Sequence, residues 1–183
     1  RALSARSRGV FQAGFTRRVI TQKWPGFEEA FYGFDVDRLM IASDNDLFGW
    51  LEDKRIVRNR QKIHTVLENA AFVKRVQEEF GSFGAFLADW PPTEQVALFA
   101  YLKKHGSRLG GNTARWFLRY LGYDSFVLSS DVVATLREVG LTIVNQPTSK
   151  RDLEAAQAQF NHWHEETGMG FSHLSQIAAY SCG

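Results

Sequence analysis

Apolar residues recur at intervals of three and four along nearly the whole chain, and no segment alternates apolar with polar residues between hairpin turns. That period suits helices and leaves no strand to assign, so an all-α fold is expected. Leu3, Val10, Phe11, Phe15, Val19 and Ile20 form the first such pattern, in a stretch ending at Trp24-Pro25. Pro25 suits the first turn of a second helix that carries Phe27, Ala30, Phe31 and Phe34. Asp35 opens a short helix, and Ser43 with Asp46 reads as a capping box before Leu47, Trp50 and Leu51. Asn59 is a good cap for a long helix with Ile63, Val66, Leu67, Ala70, Val73 and Val76 inward. Residues 81–92 form a loop with one helical piece from Phe83 to Leu87. Thr93, Asn112, Ser129 or Ser130, and Ser149 are the expected starts of the next helices, and Phe171 to Tyr180 forms the last.

A chain of 183 residues can bury one substantial core or form two small lobes. We expect one domain over 1–183, two helical lobes around a central groove, with 81–92 the place for a break between them. Fifteen Phe and five Trp supply enough apolar surface to fold. The net charge is only +2, so any basic footprint must be local. Cys182 stands alone, which excludes an internal disulfide and a Cys-rich zinc site and fits a reducing compartment. No apolar run is long enough for a membrane span. No signal-peptide pattern stands before the first helix, and a start at Arg1 rather than Met fits a chain lacking its native N-terminus.

The densest signal is His105-Gly106-Ser107-Arg108-Leu109-Gly110-Gly111-Asn112-Thr113-Ala114, between two amphipathic helices. Adjacent glycines permit a tight turn and close approach of bare backbone. Amide N–H groups at the start of the following helix make a seat for phosphate. Lys103, Lys104, Arg108, Arg115 and Arg119 surround the turn. An ordinary helix link with a glycine cap would use the same residues. A second cluster, Arg58, Arg60 and Lys62, opposes the dipole at a helix start, as suits a bound phosphate or simply a solvated helix end.

Leu109, Gly111, Thr113 and Ala114, followed by Asp131 at the start of the next helix, resemble the hairpin and acid of the helix-hairpin-helix DNA glycosylases. Within that superfamily, Gln12-Ala13-Gly14-Phe15, Phe31, Phe34-Asp35, the run Ile56 to Ile63, and Glu68-Asn69-Ala70 are similar to the 3-methyladenine DNA glycosylase I family. This narrower resemblance spans residues 9–75. It implies a monofunctional enzyme of base-excision repair that removes a damaged, alkylated purine from double-stranded DNA.

The same resemblance implies roles. Asp131 would be the catalytic acid, held ionised at a helix start and stabilising a sugar with oxocarbenium character. A first-turn acid with no catalytic part is the other reading. Phe11, Gln12 and Phe15 would line the base pocket, since an extruded base is held by stacking and edge contacts. Arg108, Gly110, Gly111, Asn112, Thr113, Arg115, Arg58, Arg60 and Lys62 would meet DNA. Asn112 stands where bifunctional relatives carry a Schiff-base Lys, hence the monofunctional expectation. Gly9 and Arg17 stand where the family has a base-contacting Glu and a Trp, and the family's zinc cysteines have no counterpart. Those departures favour the alternative, a non-catalytic DNA-binding protein on a degenerate scaffold. His162-Trp163-His164 is no metal site, because helical residues two apart diverge. No metal, no cofactor, a monomer and a bacterial cytoplasmic setting are expected.

Overall fold

The computed structural model describes residues 2–14 and 16–182. Eleven α-helices and two short 3-10 turns are found among them, and no strand. The fold is all-α. The chain divides into two compact units, Arg1–Leu87 with His105–Arg108, and Ala88–Lys104 with Leu109–Gly183.

The first unit contains α1 (Ala2–Gln12), α2 (Arg17–Ala30), α3 (Val36–Met40), α4 (Asp44–Glu52) and α5 (Arg60–Phe80). Local chemistry sets several starts. Asp35 accepts from the Arg38 N–H at 3.0 Å, Ser43 and Asp46 form a reciprocal capping box, and Asn59 accepts from the Lys62 N–H at 3.1 Å. α1 and α3 pack against α5. Between α1, α2 and α4 lies an aromatic core. Phe11 and Phe27 meet with centroids 4.5 Å apart, Trp24 stacks on Phe34 at 5.3 Å, and Trp50 meets Phe31 at 4.9 Å. The Trp50 indole donates to the Ala30 carbonyl at 2.8 Å, so its one polar atom is satisfied while buried.

Two expectations fail here. The first helix ends at Gln12, where Gly14 takes φ +78°, and not near Pro25. Pro25 lies inside α2. It sits on the exposed face, where a carbonyl that loses its N–H partner can be hydrated.

The second unit contains α7 (Gln95–His105, all but its last residue), α8 (Gly111–Tyr120), α9 (Ser130–Glu138), α10 (Lys150–Thr167) and α11 (Phe171–Ser181). Between α5 and α7, α6 (Phe83–Ala88) crosses the division. Ser129 and Ser149 cap α9 and α10. Thr93 instead lies inside a 3-10 turn ahead of α7, and Asn112 inside the first turn of α8, whose cap is Gly110. Phe126 stacks on Phe160 at 4.7 Å and meets Phe99 edge-on. α11 packs on both α9 and α10.

Candidate functional site

The opening residues of the hairpin belong to the first unit and are held from α1 and α5. Asn69, 1% exposed, accepts from the Ser107 N–H at 2.9 Å and donates to the Thr65 and Ser107 carbonyls. Arg6 donates to the same Ser107 carbonyl at 2.7 Å. Arg75 donates to the His105 carbonyl at 3.4 Å. Arg108 is exposed, with φ +56°, a conformation costly for a residue with a Cβ, and donates to the Gln61 side chain at 3.3 Å. Sequence reasoning noticed Asn69 only as part of a motif and missed Arg6. A charged residue in an otherwise small and apolar helix face was the signal.

The remaining residues of that unit sort by burial. Arg58 and Arg60 are exposed and can meet phosphate. Lys62 is 7% exposed, and its ammonium donates to the carbonyls of Phe11 and Ala13. It satisfies the end of α1 from within, so the expected DNA contact does not fall on it. Burial first, and then Arg108, pull its pKa down. Phe11 is wholly buried in the aromatic core, with no ring face open to a base. Gln12, at the end of α1, is half-buried and does present a polar edge. Phe15 lies outside the described residues.

In the second unit, Gly111 takes φ +55° and Gly110 is extended at φ −106°. Only Gly111 uses the freedom expected of both. No side chain caps the start of α8 among the described residues, which leaves its first N–H groups to another acceptor. Gly111, Asn112 and Thr113 are exposed there. The Asn112 amide nitrogen donates to the Leu128 carbonyl at 2.7 Å, and its oxygen accepts from Arg115 at 3.2 Å.

Arg115 departs most from expectation. It is 2% exposed, with its guanidinium carbon 4.5 Å from the Phe99 ring centroid and 5.9 Å from that of Phe126. Burial brings its pKa down to about 10. A guanidinium spent on two interior rings does not reach phosphate. Arg119 likewise turns inward, donating to the Ser125 and Ser172 carbonyls at 2.7 and 3.1 Å. Lys103 and Lys104 are exposed.

Asp131 is exposed in the first turn of α9. The cap itself is Ser129, which accepts from the Val132 N–H at 3.3 Å, and Ser130 donates to the Asp131 carboxylate at 3.2 Å. Asp124, the other acid nearby in sequence, is already engaged. Its carboxylate accepts from the N–H groups of Phe171 and Ser172 at 2.8 and 2.7 Å, which caps α11.

Elsewhere in this unit, a cavity of about 270 Å³ lies among α9, α10 and α11. Its hydroxyls, Thr135, Thr167 and Ser181, all donate to backbone carbonyls, so they are committed already. Among the described residues no three of His, Cys, Asp and Glu converge as metal ligands, and no helix is long and apolar enough to cross a membrane.

The helical fold is similar to that of solved structures of 3-methyladenine DNA glycosylase I. A tyrosine-to-phenylalanine variant of 3-methyladenine DNA glycosylase I, in complex with 3-methyladenine, superposes with a TM-score of 0.57 at 23% identity, over 69% of this chain and 78% of that one. 3-Methyladenine DNA glycosylase I from Staphylococcus aureus gives the same values. Another structure of 3-methyladenine DNA glycosylase I gives 0.56 at 24% identity, over 66% and 77% of the two chains. The model of the methyladenine glycosylase family matches residues 9–110, more than half of the chain. The chain belongs to the methyladenine glycosylase family.

Proposed function

We propose that the chain is a monofunctional DNA glycosylase, hydrolysing the N-glycosidic bond of an alkylated purine of the 3-methyladenine kind in double-stranded DNA, as a step of base-excision repair. Family membership over residues 9–110 carries this reading. In the reaction the bond between the sugar C1′ and the base nitrogen breaks, the electron pair leaves with the base, and water adds at C1′ and gives up one proton to solvent. Asp131 is the proposed stabiliser of the positive sugar. Its carboxylate is exposed, and the cap at this helix start is made by Ser129 instead. At Asn112 the side chain has no amine and is engaged on the Leu128 carbonyl, so it offers no Schiff-base nucleophile.

DNA contacts fall to the backbone at Gly110, Gly111 and Thr113, to Arg108, and to Arg58 and Arg60, all positions that reach solvent. Gln12 and the neighbouring Phe15 remain the proposed base contacts. The enzyme is taken to act as a monomer without a small-molecule cofactor, in the bacterial cytoplasm.

Gly9 and Arg17 favour a second reading, a DNA-binding protein that has lost catalysis, because position 9 carries no carboxylate. One experiment separates the two. The protein is incubated with a methylated duplex and the released bases are resolved by chromatography. Release of free methylated purine supports the enzyme. Salt-dependent duplex binding with no base release supports the second reading.

A further inference from the structure

Arg6 is a buried cation with no acidic partner among the described residues. It is 2% exposed, it spends one nitrogen on the Ser107 carbonyl, and its Nε is buried without a hydrogen-bond partner among the described residues. Among the described residues the cations in ion pairs are Arg55, Lys74, Lys150 and His162, and not Arg6 or Arg108. Arg108, which directly follows the Ser107 that Arg6 holds, is a second cation. Burial first, and then Arg108, bring the Arg6 pKa down to about 10.

A desolvated charge of this kind persists only where something repays it. One neighbour shows where. Gly9 lies one turn along α1, in a helix interior that glycine destabilises relative to alanine. A Cβ placed at Gly9 would meet the Nη1 of Arg6 at 3.7 Å, and nothing else beyond its own helix backbone within 4 Å. The place where a side chain would stand at Gly9 is therefore bordered by that guanidinium nitrogen and crowded by no other atom.

We propose that Arg6, with Arg108 beside it, forms a binding site for a phosphate-class oxyanion in the slot left bare by Gly9. A guanidinium suits such a ligand because its planar fork donates two N–H groups to two oxygens. The anion supplies the missing counter-charge, and it binds through side chains rather than through the amides at the start of α8. The ligand chemistry has two sources, a free phosphate or a phosphodiester of DNA.

Thermal unfolding of the full chain, in inorganic phosphate against chloride at matched ionic strength, tests the site. Phosphate stabilises proteins generally by exclusion, so the signal is the difference between wild type and variants. The wild-type midpoint is expected to rise logarithmically, by about 3–5 °C for each tenfold step in phosphate above the dissociation constant, on top of the general rise linear in concentration. Arg6→Met should keep only the linear general rise, while the control Arg151→Ala keeps the full response. Arg6→Met also removes the bond to Ser107. Gly9→Glu therefore serves as the second variant, because its carboxylate would fill the slot and pair with Arg6 without removing any existing contact. It should melt no lower than wild type in chloride and show no logarithmic rise in phosphate.

A logarithmic rise equal to wild type in either Arg6→Met or Gly9→Glu overturns the proposal, as does its absence from wild type. Duplex binding by fluorescence anisotropy then separates the sources. If phosphate weakens wild-type binding beyond matched chloride but spares Gly9→Glu, the occupant is a DNA phosphodiester. If phosphate binds without displacing duplex, the site serves a free anion.

Discussion

The side-chain amide of Asn112 donates to the carbonyl of Leu128 at 2.7 Å, tying the first turn of α8 to the residue just ahead of the α9 cap. Leu128 is 5% exposed, so its carbonyl depends on this donor. Asn112→Ala should therefore lower stability by about 1–2 kcal/mol, the cost of stranding one buried acceptor. Thermal unfolding would read this as a drop of roughly 2–8 °C. A variant as stable as wild type would show that the carbonyl finds another partner.

Asp131→Asn separates charge from capping. Ser129 already caps α9, so the melting midpoint should stay within about 1–2 °C of wild type. Duplex affinity should hold or rise slightly, because a carboxylate near phosphates repels them. Release of methylated purine should fall by about two orders of magnitude or more. Full activity in this variant would remove Asp131 from the chemistry, and Asp124 would be no substitute while its carboxylate caps α11.

The two hairpin glycines should respond differently. Gly111 needs its positive φ, so Gly111→Ala should cost about 1–2 kcal/mol in unfolding free energy. Gly110 is extended, and a Cβ there meets only the Lys103 Cγ at an ordinary 3.8 Å. Gly110→Val should fold about as stably as wild type yet bind any duplex more weakly, since the branched side chain keeps phosphate from the amides. Unchanged affinity in that folded variant would place the DNA contact elsewhere.

Asp46 should make part of the stability sensitive to acid. Its carboxyl accepts from the Tyr32 hydroxyl at 2.7 Å and from the Ser43 N–H and hydroxyl, which lower its pKa from 3.8 to about 2. A group lowered in the folded state stabilises it above its ordinary pKa and loses that effect as pH falls through the folded value. The gap in melting midpoint between wild type and Asp46→Asn should thus be constant above about pH 5 and shrink toward pH 2. A gap that persists undiminished at the acid end would show that the Asp46 charge contributes nothing.

Several features were legible without coordinates because they are short-range. The capping box of Ser43 and Asp46 and the caps at Asp35, Asn59, Ser129 and Ser149 need only residues a turn apart, so local sequence specifies them. The helical period and the want of alternating segments established the all-α class for the same reason. Tertiary packing decided the rest. Arg115 and Lys62 look like surface cations in a list of residues. Whether a long cationic side chain snorkels to water or folds over a ring depends on what distant segments bring beside it. For Arg115 they bring Phe99 and Phe126, and for Lys62 the end of α1. Phe11 was equally undecidable, since a helical aromatic can face a pocket or a core, and Phe27 and Phe31 close over it. Arg6 became visible only once Ser107, distant in sequence, was placed against it, because burial of a charge is a property of its surroundings and not of the residue.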